Sequence, residues 1–543
     1  MNRERSLAAA GAGRETSGGH ARLEAGSGNA AAARADARIA AGLIAAGGAL
    51  RIVVALRAGI IEHDGAYYAG LAAALAGGDR AHGLSPLWPP LYPALVAAAT
   101  WLLARAHAPT PETLELAARL VSVAAGIAGL ALLRRWVRRI AGARVANVAL
   151  ALAAFHPRLV QFSASALTEM TFTTLVLAAL VLLPGPDTPS RRRDLGAGAA
   201  FGLAYLTRPE GVLLGAVVGI ALALGRGPRL RPAFALGMAA LVVPWVLFVH
   251  SETGGFSLGE KGAYNFWREY RTEYRAHFAE PAGASERGFE SPELARAIPP
   301  PRIDVLGLVR AEPWAIAGRT LRRLARIAAQ SIPLACYPIY FGFALLGLPL
   351  LARRGVRPAA AILVALPVMY APFTADRRFF VLAVPWLLAL AAAGIDRAAE
   401  WLAPPPRRAA LASGIAAALA VSGAAYSLVH PLMESAPEHR AAGTWLRAAH
   451  VAARPIVMSR KPWVAFYAGG LVAELPEGGL DSVLARVRRK RADVLVVDER
   501  WGVPTRPELA PLLDPRNAPA GFAVLRRIDS PERLVLYDVR DVR

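Results

Sequence analysis

The strongest constraint in this sequence is the recurrence of apolar runs rich in Ala, Leu, Val and Gly. Each is close to the roughly 20 residues that an α-helix needs to cross ~30 Å of hydrocarbon. A chain of 543 residues has room for several soluble domains, but 55% hydrophobic content gathered in such runs points to a polytopic membrane protein. The pattern predicts about eleven spans, near residues 39–60, 117–134, 145–163, 168–183, 195–207, 210–225, 232–250, 332–351, 357–373, 379–395 and 409–429. The shorter run Leu91 to Ala104, with prolines and tryptophans in and around it, reads as an amphipathic helix lying at the membrane interface.

The formal charge of +22 comes almost wholly from arginine, the only lysines being Lys261, Lys461 and Lys490. The arginines sit in short clusters between apolar runs, which is topology charge and excludes a nucleic-acid footprint. With this span count, Arg134, Arg135, Arg138, Arg139 and Arg144, then Arg191 to Arg193, Arg226 to Arg231, Arg353 to Arg357 and Arg397 to Arg408 all fall on one side. The positive-inside rule makes that side cytoplasmic, placing the N-terminus inside and the C-terminus outside a bacterial inner membrane. Cys336 is the single cysteine, so neither an intrachain disulfide nor a thiolate metal cluster is available.

Three regions follow. Residues 1–38 lack apolar periodicity and read as a disordered cytoplasmic tail. Residues 39–430 form the transmembrane unit, with 61–116 as its first outer loop. Residues 431–543 change character, with an amphipathic helix from Glu438 to Ala449 and strands at Arg454 to Met458, Ala492 to Asp498 and Arg533 to Asp538. The expected fold class is thus an α-helical polytopic membrane protein with a small extracytoplasmic α/β domain.

Chemically competent residues gather on the predicted outer face. His63, Asp64, Tyr67 and Tyr68 follow the first span directly, where a carboxylate reaches both headgroups and water, although Asp64 could equally cap a helix. Trp88 and Tyr92 flank paired prolines and suit the headgroup layer, as substrate contacts or as an ordinary aromatic belt. Glu169 opens a span, where the helix dipole favours it or where it faces Asp64 across a cleft. Arg208, Arg377 and Arg378 lie outside against the positive-inside rule, and their forked, permanent charge suits a phosphate. A pair with Glu210 and snorkelling to lipid headgroups are the plainer accounts. Arg51, inside the first span, has to face the bundle interior. His250 ends the seventh span and, with Asp64 and Glu169, makes a candidate divalent-metal set that no ligand spacing marks.

Asp64 with Tyr67 and Tyr68, Pro89-Pro90-Leu91-Tyr92-Pro93, Ala118-Arg119-Leu120, Thr168-Glu169, Leu206-Thr207-Arg208-Pro209 and Arg378-Phe379-Phe380 with Pro385 occur in an order that resembles the GT-C glycosyltransferases. The likeness is to the protein O-mannosyltransferase and lipid A aminoarabinose transferase type, glycosyltransferase family 39, over residues 39–430. The resemblance implies an enzyme that moves a sugar from a polyprenyl-phosphate donor to an acceptor glycan, lipid or protein on the outer face. Asp64 would be the general base, Glu169 a second acidic group, and Arg208, Arg377 and Arg378 the phosphate contacts. The rival from another class is a lipid-linked sugar transporter, which calls for charged residues at the bilayer midplane and repeats between halves. The sequence offers mainly Arg51 for the first and no clear repeat for the second.

Overall fold

The computed structural model describes residues 31, 33–104, 108–183, 190–224, 231–271, 290–296, 298, 304–430 and 435–542. Twelve helices lead from the N-terminal side: α1 (Ala33–Leu56), α2 (His63–Ala76), α3 (Arg80–Gly83), α4 (Leu91–Ala104), α5 (Pro111–Ala141), α6 (Ala143–Phe155), α7 (Pro157–Ser163), α8 (Glu169–Leu182), α9 (Arg191–Tyr205), α10 (Glu210–Leu224), α11 (Pro232–Thr253) and α12 (Glu260–Arg271). Among the described residues five helices are long and apolar enough to cross a membrane: α1, α5, α11, Arg377–Leu402 and Pro405–Val429. Two bent pairs raise the number to seven, α6 with α7 at 59° and Pro313–Cys336 with Pro338–Leu346 at 106°. The apolar helices α4, α8, α10 and Arg357–Tyr370 are shorter. At about 1.5 Å per residue, the 14 residues of α4, like those of α8, cover only about two-thirds of a bilayer. The first apolar helix begins at Ala33, so residues 33–38, expected in the tail, are helical, while 1–30 lie outside the described residues.

The arginine clusters meet at one end of the bundle. Arg139 donates to the carbonyls of Leu180, Val181 and Leu183 at the end of α8, and Arg193 donates to that of Leu182. Arg134 pairs with Asp36 at 2.7 Å, Arg144 with Asp396 at 2.6 Å and Arg231 with Asp194 at 2.5 Å. These cations cap helix C-termini and pair the few local carboxylates.

Arg51 is fully buried and satisfied by backbone. Pro157 has no N–H to give the carbonyl of Ala153, and the chain bends there. Arg51 Nη2 supplies the missing donor at 3.0 Å, Nη1 reaches the carbonyl of Ala154 at 2.6 Å and Nε reaches Ser163 Oγ at 3.0 Å. Its place in the interior is that of a kink clamp.

Beyond residue 435 lies a five-stranded sheet in the order β2-β1-β3-β5-β4, formed by β1 (Ile456–Ser459), β2 (Leu471–Glu474), β3 (Val494–Asp498), β4 (Ala523–Ile528) and β5 (Leu534–Asp538). The first three strands are parallel and the last two antiparallel. All five residues of β3 are buried, as a central strand covered on both faces requires. Helices Pro437–Ala448 and Trp463–Ala468 join the sheet to the end of the bundle that carries α2. There the Tyr467 hydroxyl accepts from the Ile61 amide and donates to Glu115 Oε2, both at 2.9 Å.

Candidate active site

The chain leaves α1 and turns at Glu62, which sits at the N-cap of α2 but spends its carboxylate elsewhere, accepting from the amide of Ala166 at 2.7 Å. Arg119 locks the same junction, donating to the carbonyls of Ile60 and Ala164 and to Glu115. Gly65 lets the two segments touch, since a Cβ there would stand 2.8 Å from the carbonyl of Ala166. Asp64 therefore occupies the first turn of α2 without capping it, and its carboxylate points across to the other elements.

What it meets is Arg378. The guanidinium donates from Nη2 to Asp64 Oδ2 at 2.9 Å and from Nε to Glu169 Oε1 at 2.7 Å, joining residues 314 and 209 positions apart. Asp376 orients it by accepting from the Arg378 amide at 2.8 Å. Arg208 closes the group, reaching Glu169 Oε1 at 3.2 Å and Glu210 Oε1 at 3.1 Å, and Tyr370 donates to that same Glu210 oxygen at 2.9 Å. The turn holding Arg208 is fixed to the segment between α1 and α5, where the Leu91 amide donates to the Leu206 carbonyl at 2.8 Å. The Arg208–Glu210 pair offered by the sequence is present, and Glu169 and Asp64 are joined through Arg378 in the same network.

An aromatic floor supports Asp64. Tyr67 stacks on Trp88 with ring centroids 5.6 Å apart, Tyr68 meets Trp88 edge-on at 5.1 Å, and Tyr92 meets Tyr68 at 5.3 Å. Tyr92 is fully buried and donates to the Ala118 carbonyl at 2.9 Å, so it holds the floor in place rather than meeting a ligand. His63 packs edge-on to Tyr67. Burial, helped by the positive charge of Lys461, brings its pKa down to about 3 and keeps the ring neutral.

Lys261 was not singled out from sequence. The amide of Glu260 donates to the carbonyl of Pro86, bringing α12 to the first loop, and the Lys261 ammonium stands 3.4 Å from the centre of the Trp88 ring. Burial lowers its pKa to about 8 against the pull of Asp64. Burial would raise the Asp64 carboxyl, but Lys261 and Arg378 more than offset this and hold it well below the usual carboxylate range. Asp64 is therefore ionised at every ordinary pH. Three carboxylates face three cations, and Arg460 and Lys461, in the loop after β1, add positive charge around His63.

Two expected members stand apart. Arg377 is exposed and makes none of the hydrogen bonds or ion pairs that form the cluster, although it starts the turn that Asp376 caps. His250 lies at the end of α11 with its ring stacked on Phe256 at 3.9 Å. Among the described residues no three His, Cys, Asp or Glu side chains form a metal-binding group, so Asp64, Glu169 and His250 do not make the candidate set. The carboxylates that could have held a divalent ion are bound to arginines instead. Two oxygens nonetheless remain buried without a hydrogen-bond partner among the described residues, Glu169 Oε2 and Glu210 Oε2. Glu169 lines a narrow cleft together with Arg208, Arg378 and Tyr370.

Residues 89–250 match the protein family described as dolichyl-phosphate-mannose-protein mannosyltransferase. The chain is similar in fold to ArnT from Cupriavidus metallidurans bound to undecaprenyl phosphate, with 15% identity and a TM-score of 0.53 over 91% of this chain and 97% of that one. It is also similar to the oligosaccharyltransferase of Archaeoglobus fulgidus tethered with an acceptor peptide, with 12% identity and a TM-score of 0.56 over 91% of this chain and 73% of that one. The related AglB structure from the same organism, in complex with an inhibitory peptide and a dolichol-phosphate, gives 13% identity and a TM-score of 0.55 over 85% and 69%. No curated protein matches the sequence. The fold these structures share with this chain is the GT-C glycosyltransferase fold, a helical membrane unit followed by a smaller domain.

Proposed function

We propose that this chain, built on the GT-C fold, transfers a sugar from a polyprenyl-phosphate donor to an acceptor hydroxyl at the outer face of a bacterial cytoplasmic membrane. The observation that carries the reading is Arg378 held between Asp64 and Glu169, with Arg208 beside it, in a cleft at the end of the bundle away from the arginine clusters. Residues 39–430 would be the transferase unit and 431–543 an extracytoplasmic domain, with the N-terminus inside.

In transfer, the anomeric carbon–oxygen bond to the donor phosphate breaks and a bond to the acceptor oxygen forms. The acceptor proton passes to Asp64, and the departing polyprenyl phosphate gains one negative charge. Arginines fixed beforehand at that position stabilise the charge as it develops. The ion pairs give the site its order of events. While Arg378 holds Asp64, the carboxylate is a weak base, as its depressed pKa records. A donor phosphate that engages Arg378 and Arg208 loosens that pair, and Asp64 gains basicity only when the leaving group is in place. Arg377 remains a contact for lipid headgroups at the rim.

The test is transfer from radiolabelled polyprenyl-phosphate sugars in membranes carrying wild type or Asp64→Asn at matched expression. The variant should lose on the order of a hundredfold or more in rate while still binding donor. Undiminished transfer by Asp64→Asn would remove it as the base. Failure of the wild type with every donor would favour a lipid-linked sugar transporter.

A further inference from the structure

The segment that leads into Asp64 is held from outside its own helix. Residues 59–62 join α1 to α2, and the side chain of Glu62, at the N-cap of α2, makes no capping bond. A helix start without a side-chain cap lacks the bond that ordinarily fixes its first turn, so the position of Asp64 has to come from the segment before it. Four bonds supply it. The Gly59 carbonyl accepts from Arg440 Nη1 at 2.8 Å, the Ile60 carbonyl accepts from Arg119 Nη2 at 2.6 Å, the Ile61 amide donates to the Tyr467 hydroxyl at 2.9 Å, and the Glu62 carboxylate accepts from the Ala166 amide at 2.7 Å. Each residue of the junction is thus fixed by a partner from a different element.

Two of the four partners come from the C-terminal domain, Arg440 from 381 positions away and Tyr467 from 406. They act as a unit. The Arg440 guanidinium lies 5.0 Å from the centre of the Tyr467 ring and 3.7 Å from Glu115 Oε2, the oxygen that accepts from the Tyr467 hydroxyl at 2.9 Å. Glu115 also pairs with Arg119 at 2.9 Å, so the domain and the bundle share one buried carboxylate. Tyr467 and Glu115 are buried, and a partner removed there leaves a polar group unpaired. Burial raises the Tyr467 phenol well above its ordinary range, so the hydroxyl keeps the proton that it donates.

We infer that Tyr467 and Arg440 are positioning residues through which the C-terminal domain sets Asp64 opposite Arg378, an inference that rests on the reading of Asp64 as the base. They act through the backbone of residues 59–61. The geometry has little slack: Asp64 Oδ2 stands 2.9 Å from Arg378 Nη2, and a displacement of about 1 Å breaks that bond and costs on the order of a hundredfold in rate. Without the domain the base would be present and out of place.

The test compares the full chain as wild type, Tyr467→Phe, Arg440→Met and Asp64→Asn. Transfer from radiolabelled polyprenyl-phosphate sugars is followed in membranes as pH is lowered, and undecaprenyl phosphate binding to the purified proteins is read by native mass spectrometry. Tyr467→Phe should lower the maximal rate on the order of tenfold to a hundredfold with undecaprenyl phosphate binding unchanged. Its rate should also acquire an acid limb at or above about pH 4 that the wild type lacks, because Asp64 released from Arg378 and Lys261 returns to the ordinary carboxylate range or, being buried, above it. A residue needed only for folding would lower the rate evenly at every pH. Arg440→Met should move both readouts in the same direction, and with a side chain 36% exposed it carries the test should Tyr467→Phe fail to fold. Wild-type rates in every variant of the pair that folds, a loss without the acid limb, or a loss that follows donor binding would overturn the inference, while an inactive Asp64→Asn keeps the base reading. Transfer by Asp64→Asn at the wild-type rate would overturn that reading itself.

Discussion

A single guanidinium, Arg378, holds two carboxylates from two different helices, and Lys261 adds a second positive charge that acts on Asp64. Lys261 is the titrating member, because burial brings its pKa to about 8, whereas an arginine stays charged. As pH rises through about 8 the ammonium loses its proton and the site loses a cation, so the KM for a polyprenyl-phosphate donor should climb above that pH. Lys261→Arg should remove this limb and Lys261→Met should show the weaker, pH-independent binding throughout. A limb that persists in Lys261→Arg would assign the titration to another group. Asp64, Glu169, Arg208 and Arg378 could be found from sequence because each sits next to an apolar run where a charge needs a reason. Lys261 could not, since it lies in a mixed-charge segment, and contacts such as the backbone bond from Glu260 to Pro86 and the Tyr205 hydroxyl on the Leu258 carbonyl, which bring it to Trp88, join residues distant in sequence. Tyr370 was missed because a tyrosine at the end of an apolar run reads as interfacial belt, while here its hydroxyl is bound to Glu210.

The helices that place these residues are held by contacts of a kind that apolar periodicity does not reveal. A Cβ on Gly394 would stand 1.9 Å from the carbonyl of Phe343, and one on Gly347 would stand 1.9 Å from that of Leu390. Two helices therefore approach until their backbones touch, as small residues allow within a membrane. Helix Arg377–Leu402 is the one whose first turn carries Arg378. Gly394→Leu should force the pair apart, costing on the order of 3 kcal/mol, and should reduce transfer although every residue of the cluster is intact. Thermal unfolding in detergent, read beside the transfer assay, checks both, and a wild-type melting point would show that the contact yields. The elements themselves were predictable in part: helices lie near each expected span, but among the described residues only five, or seven counting the bent pairs, are long and apolar enough to cross a membrane against the eleven expected, while Pro437–Ala448, β1, β3 and β5 lie close to their predicted places. The four-residue strand β2 and the strand β4, with its paired arginines Arg526 and Arg527, carried too little alternation to be seen. The bend before Pro338, with Tyr337 at a φ of 60°, is likewise invisible to periodicity.

At the scale of the molecule, the membrane unit and the C-terminal sheet meet over buried polar groups, one of them a carboxyl whose proton burial favours. Glu474, the last residue of β2, lies beside Glu290, with Arg486 within 3.8 Å of both and Lys490 at 2.5 Å from Glu290. Burial is the main cause that raises the Glu474 carboxyl to about 7; Arg486 opposes it and the neighbouring Glu290 adds to it. An acid whose pKa is higher folded than unfolded binds its proton more tightly in the native state. Its contribution is present in full below the ordinary value of about 4.5 and is lost as pH rises towards 7, a difference of up to about 3 kcal/mol. Glu474 also acts electrostatically on Tyr67, a residue of the aromatic floor, so its ionisation is felt where the two parts join. The thermal stability of the full chain should therefore fall between pH 5 and 7 by an amount that Glu474→Gln abolishes, and at pH 8 the glutamine variant should melt higher than the wild type. If the two proteins show the same slope, Glu474 is already ionised in the native state, and Arg486 rather than burial governs it.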